Sequence, residues 1–146
     1  MIDVGGKGVT RRRAVAACRI HLRPETLRKV IAGRLIKGDA LAAAQLAGIQ
    51  AAKRAWEIIP LCHPIPLTMV EVRLTPQAGE GAIEVEAVVE TRARTGVEME
   101  ALTAAAAAAL TIYDMCKSQD PALEITALRL LEKSGGKSGR WKRREP

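Results

Sequence analysis

The chain has 146 residues, 48% of them apolar, which suits one domain with a modest core and argues against general disorder. Aromatic side chains make up 2% and Phe is missing, so Leu, Ile, Val, Ala and Met must build the core. The formal charge is +7, and the segment 133–146 holds six of the 23 basic residues against a single acid, Glu145. That segment reads either as a solvated tail or as a clamp for a polyanion such as a triphosphate. Stacking of nucleic-acid bases needs aromatic platforms, and only Trp56, Tyr113 and Trp141 are present to supply them.

The cysteines Cys18, Cys62 and Cys116 are odd in number, widely spaced and form no CxxC pair. They predict a reducing compartment rather than a disulfide framework. Residues 1–13 are charged and Gly-rich, unlike a secretory signal, and the apolar run Ala104–Ile112 is too short to span a bilayer. A cytoplasmic protein without a membrane partner is expected.

The first predicted element is a strand over 14–22. Its alternation puts Cys18, Ile20 and Leu22 on one face and Arg19 and His21 on the other. Pro24 opens a helix with the apolar stripe Leu27, Val30 and Ile31, which Gly33 ends. A second helix starts behind Asp39, a good N-cap, and is expected to run to about Ile58, with Leu46, Ile49 and Trp56 on its apolar side. Pro60, Pro64 and Pro66 then impose a stiff, irregular connection. Residues 68–75 and 82–91 alternate as strands, and Gly79 and Gly81 between them predict a hairpin. A long Ala-rich helix over about 98–117 follows, broken by Asp120 and Pro121. A last strand over 124–131 leads into a flexible Gly-rich loop, 133–139, and the basic tail.

The order is β-α-β-β-α-β, the pattern of a ferredoxin-like α+β sandwich with helices on one face of an antiparallel sheet. The other face needs cover as well, and an oligomer is the simplest source of it. No repeat is visible, and a single domain over 1–146 is expected.

Several short segments carry chemical groups. His63 lies in Leu61-Cys62-His63-Pro64, a proline-stiffened loop where functional groups are often held, although a structural histidine reads equally well there. Adjacent Cys and His side chains rarely face each other, and two further ligands at metal spacing are not evident. Glu98 and Glu100 follow Gly96. Two apart on one helix, they should point about 200° away from each other, so a shared pocket needs a non-helical turn or two subunits. Asp114 and Lys117, three apart, share a helix face as either a surface ion pair or an acid–base pair with a depressed lysine pKa. Lys37 precedes the N-terminus of a helix, a natural anion site. Lys133 and Lys137 flank Gly135-Gly136, which fails the Walker A pattern and leaves at most a loose phosphate clamp.

The strings KGDALAAAQLAGIQAAKRAW, IIPLCHPIPL, TGVEMEALTAAAAAALTIYDMCK and RLLEKSGGKSG resemble the molybdenum cofactor biosynthesis protein C family, the cyclic pyranopterin monophosphate synthases. The likeness runs from Met1-Ile2-Asp3-Val4, where the family usually has Val at the second position, to about Trp141, and is weakest over 9–30.

It implies a lyase in molybdopterin biosynthesis. The substrate would be (8S)-3′,8-cyclo-7,8-dihydroguanosine 5′-triphosphate, and the products cyclic pyranopterin monophosphate and pyrophosphate. It also implies acid–base chemistry with no required cofactor, magnesium being possible with the triphosphate. The assembly would be a homohexamer, a trimer of dimers with interfacial active sites. Matched by position, Asp114, Lys117 and Lys37 are implied as catalytic. Leu61, Cys62, His63, Glu98, Met99 and Glu100 are implied as substrate-binding, and Asp3, Lys7, Arg12 and Lys133 as further charged groups of the site.

Three rival readings stand beside this one. An RNA-binding ferredoxin-like module would need aromatics on its central strands, and segments 14–22 and 124–131 have none. A non-catalytic oligomer that binds nucleotides would lack turnover. A lysine imine at Lys37 or Lys117 would be trapped by borohydride.

Overall fold

The computed structural model describes residues 1–144; the end of the expected basic tail, 145–146, lies outside the described residues. The elements in chain order are β1 (Thr10–His21), α1 (Pro24–Ile31), α2 (Ala40–Lys53), α3 (Ala55–Ile58), β2 (Met69–Gln77), β3 (Ala82–Ala93), α4 (Glu98–Cys116), β4 (Glu124–Ser134) and β5 (Trp141–Lys142). The strands form one antiparallel sheet in the order β2-β3-β1-β4-β5. Without the short β5, this is the expected ferredoxin-like arrangement.

Alternation on the strands builds the core. Ala14, Ala16, Cys18 and Ile20 of β1 pair with Val89, Ala87, Val85 and Ile83 of β3, and all are buried. Against them lie the small residues of α4: Ala101, Ala104, Ala105, Ala108 and Ala109 are fully buried. The Ala run thus lets the helix lie close to the sheet.

The second helix departs from expectation in both length and face. It breaks at Arg54, whose backbone leaves helical geometry (φ −119°, ψ 13°), and α3 begins anew. Its buried residues are Ala40, Ala44, Gly48 and Ala52, whereas Leu46 is 65% exposed and Trp56 46%. Only small side chains fit between two closely packed helices, because a Cβ on Gly48 would come within 2.9 Å of the Ala104 carbonyl oxygen and 3.0 Å of Val72 Cγ2. Asp39 is the N-cap as expected; its carboxylate accepts from the Ala42 N–H at 3.0 Å. The first helix has no cap from its own chain neighbours. Instead, buried Asp120 accepts from the Arg23 N–H at 2.7 Å, tying the start of α1 to the turn after α4.

The helix-free face covers itself in part. Val15, Ala17 and Val88 are buried there beneath a lattice of long charged side chains. Arg13 reaches Glu90 and Glu132, Arg19 reaches Glu80 and Glu84, and Arg73 reaches Glu71 and Glu86. The aliphatic stems of arginine shield apolar surface while their heads stay wet, so cover for this face does not require a partner.

The C-terminal expectation is also revised. The last strand runs on to Ser134, so Lys133 is a strand residue rather than part of a loop. The glycines after it make a turn with left-handed backbone at Gly135, Gly136 and Gly139, which returns the chain as β5 to pair Trp141 with Lys133. A two-residue strand after a Gly-rich turn has too short a pattern to announce itself in sequence.

Candidate active site

Two adjoining clefts open around the N-terminus of α4. The first, of about 380 Å³, is lined among others by Lys7, the loop residues Leu61, Cys62 and His63, and Glu98, Met99 and Glu100 of the helix. The second, of about 600 Å³, shares Lys7 and Glu98 and adds Arg12, Arg94 and Lys137.

The 61–63 loop is delivered by its prolines and by a tether. Fully buried Thr91 of β3 donates its hydroxyl to the Pro66 carbonyl, and Thr68 N–H bonds the Glu90 carbonyl at 2.9 Å. Both hold the loop's exit against the sheet, so that its tip faces the first turn of α4. There Cys62 Sγ lies 3.4 Å from Glu100 Oε1. Burial pushes the Cys62 thiol up to about 11, with the Glu100 charge adding to it. Burial also raises the Glu100 carboxyl, a residue only 3% exposed. The thiol is therefore a hydrogen-bond donor rather than a nucleophile at neutral pH. It faces the Glu100 carboxylate and, at 3.8 Å, the His63 backbone carbonyl rather than the His63 ring, so no Cys–His couple forms. Among the described residues, no cluster of three or more His, Cys, Asp and Glu side chains could hold a metal ion.

Glu98 and Glu100 share the first cleft although both are helical, contrary to the two-apart argument. Glu98 is the first residue of α4, and its carboxylate folds back over Gly96, occupying the space a Cβ there would fill. Lys133 closes on it from β4, 3.1 Å from Glu98 Oε1.

Arg12 projects from β1 into the second cleft. Its Nη2 donates to the Arg94 carbonyl at 3.3 Å, and its buried Nε has no hydrogen-bond partner among the described residues. Asp3 lines neither cleft; its carboxylate accepts from the Gly5 N–H at 2.7 Å and shapes the N-terminal turn beside Lys7.

The remaining trio stands apart. Lys37 Nζ lies 2.6 Å from Asp114 Oδ2, and Lys117 Nζ lies 2.7 Å from Oδ1, so one carboxylate bridges two ammonium groups. Hydrogen bonds from Lys117 and then Lys37, with their charges, hold the Asp114 carboxyl down at about 2. The same contact raises the Lys117 pKa, opposite to the depression a cleft lysine could show, because within this chain the lysine is exposed and ion-paired. Asp114 is sixteen residues along α4 from Glu98, which is about 24 Å at 1.5 Å per residue.

Sequence reasoning did not pick out Arg94, which lines the second cleft beside Thr95, the first residue of the TGVEMEALT string. Its one signal is position, two residues before Gly96, at the junction of a strand and a helix. Lys137, by contrast, was visible in its Gly-rich setting, and the hairpin return brings it to the rim.

A family model described as the MoaC family matches residues 1–136. A cyclic pyranopterin monophosphate synthase from Thermomicrobium roseum is 57% identical over 145 residues, 99% of this chain and 87% of the relative. A protein of the same name from Chloroflexus aurantiacus is 54% identical over 143 residues, covering 98% and 88%. Another, from Roseiflexus castenholzii, is 55% identical over 139 residues, covering 95% and 88%.

Proposed function

The chain belongs to the MoaC family, and on that premise we infer that it is the lyase that makes cyclic pyranopterin monophosphate for molybdenum cofactor biosynthesis. Its substrate is (8S)-3′,8-cyclo-7,8-dihydroguanosine 5′-triphosphate, and pyrophosphate is the second product. The observation that carries this reading is the near full-length match to relatives of that name.

The geometry supports a division of labour. The reaction rearranges a guanine-derived ring system and closes a cyclic phosphate by attack of a sugar hydroxyl on the α-phosphorus. It therefore needs proton transfer at the rings and positive charge at the phosphates. Lys7, Arg12 and Lys133 supply charge around the two clefts. His63, Cys62 and Glu100 offer donors and acceptors in a partly dry pocket suited to the polar edge of a pterin, with Leu61 and Met99 as its apolar wall. Asp114, between Lys37 and Lys117, is the acid–base centre in this reading; the flanking ammonium groups keep it ionised, and it in turn orients both of them. No resident cofactor is needed, and magnesium would arrive with the triphosphate.

About 24 Å of helix lies between Asp114 and the clefts, too far for one small substrate to touch both in one chain. In this reading a second copy brings its Asp114 cluster to the first copy's clefts, which favours an interfacial site in a hexamer of three dimers. Exposed Leu46, Leu110 and Ile36 supply apolar surface for such contacts. Among the described residues no helix is long and apolar enough to cross a membrane, and a cytoplasmic location fits the three free cysteines.

The test is turnover: purified protein with the cyclised dihydroguanosine triphosphate, following pyrophosphate and the pterin product, beside Lys117→Ala. Product from the wild type, and none from a folded variant that still binds substrate, is the expected result. A folded, substrate-binding wild type that releases no pyrophosphate would leave a nucleotide-binding oligomer in its place.

A further inference from the structure

Two glycines follow β4, and they meet different neighbours. Gly135 (φ +104°) packs on the Arg11 backbone, and a Cβ there would collide with the Arg11 carbonyl oxygen. Gly136 (φ +70°) packs on the guanidinium of Arg12 instead: a Cβ would fall deep inside contact distance of Nη1, Cζ and Nη2. The physical consequences diverge. Backbone cannot give way, so Gly135 protects the sheet. A guanidinium at the end of a flexible side chain can be pushed aside, so a Cβ at 136 would spare the fold and move the charge.

We propose that Gly136 is a positioning residue for Arg12: its bare backbone is the floor on which the guanidinium lies, directing that charge at the anionic end of the substrate. Three further observations agree. Arg12 and Gly136 line the same cleft, together with Lys7 and Lys137. The guanidinium is also tied through Nη2 to the Arg94 carbonyl at 3.3 Å. Its buried Nε has no hydrogen-bond partner among the described residues, so beyond the bond to Arg94 the group relies on packing for its aim. A long arginine held this way loses less rotamer freedom when substrate arrives, which favours binding. The proposal rests on the reading of Arg12 as a substrate-binding group.

Gly139 provides the control. It has nearly the same left-handed backbone (φ +64°), yet nothing lies within 4 Å of the Cβ position, so Gly139→Ala reports strain alone. Steady-state kinetics with the cyclised dihydroguanosine triphosphate would compare wild type, Arg12→Ala, Gly136→Ala, the double variant and Gly139→Ala. Gly136→Ala should raise KM about tenfold, the scale of one weakened charge-assisted contact, with a smaller effect on kcat. Gly139→Ala should lose similar thermal stability but keep a near wild-type KM. In the Arg12→Ala background, the Gly136 substitution should add no more than the Gly139 substitution does. Gly136→Asn, which tolerates left-handed backbone and carries the same Cβ, should repeat the KM shift even if the alanine variant folds poorly. An impaired Arg12→Ala beside a Gly136→Ala that behaves like Gly139→Ala, or additive effects in the double variant, would overturn the positioning role alone. Wild-type KM in Arg12→Ala would overturn the substrate role of Arg12 first, and the proposal with it.

Discussion

At the scale of single residues, the two carboxyl groups most displaced from ordinary behaviour are displaced in opposite directions. Asp114 is held down, from 3.8 to about 2, by hydrogen bonds from Lys117 and Lys37 and by their charges. A lowered folded-state pKa gives stability that is present above the unfolded value and lost as pH falls towards the folded one. The stability difference between wild type and Asp114→Asn should therefore shrink between about pH 4 and pH 2 in acid titrations followed by circular dichroism. The same variant should lose turnover by about 100-fold or more if the carboxylate is the acid–base centre. Glu100 is raised above its usual 4.5, chiefly by burial. Its ionised form costs folding free energy, and that cost grows as pH rises above 4.5. Glu100→Gln should accordingly melt at a higher temperature than wild type at pH 7 while turning over more slowly. A lower melting temperature would show that the Cys62 contact outweighs desolvation.

At the scale of elements, α2 and α4 are held by the absence of side chains. Intrinsic propensity favours Ala over Gly within a helix by about 1 kcal/mol, so Gly48→Ala looks stabilising in isolation. Here the new methyl would meet the Ala104 carbonyl oxygen at 2.9 Å. Overpacking should win, and urea denaturation should show a net loss of about 1–3 kcal/mol. Asp39→Ala removes a true N-cap and should cost about 1 kcal/mol in the same assay. It would also loosen the segment that holds Lys37 against Asp114, so its effect on turnover should exceed its effect on stability.

At the scale of the whole molecule, the position of Asp114 far along α4 from the clefts is the decisive fact. If a site combines the clefts of one protomer with the Asp114 cluster of another, Asp114→Asn and His63→Ala protomers should complement. Each is expected to be inactive alone. Mixed in equal amounts and reassociated, they should recover about a quarter of wild-type activity, since half the two-fold interfaces pair unlike protomers and one of the two sites at each joins two intact halves. A dead mixture from a folded hetero-oligomer would mean that each site lies within one chain. Light scattering on the wild type should give the mass of six copies.

The sequence by itself determined four of the five strands of the sheet, because strict alternation, as at Val70, Val72 and Leu74 and at Ile83, Val85, Ala87 and Val89, admits only one inward face. It also determined the long Ala-rich helix, the Asp39 cap and the family, whose strings are local and long. Tertiary structure alone decided which face of α2 is buried. Leu46 is the more apolar choice, but the gap between two close helices admits only Ala and Gly. It decided that Glu98 and Glu100 share a cleft, because a side chain at a helix start can fold back over a glycine, as angles on an ideal helix do not show. The separation of Asp114 from Glu98 follows from helix length alone, but only the tertiary structure placed the clefts at the N-terminal end of that helix.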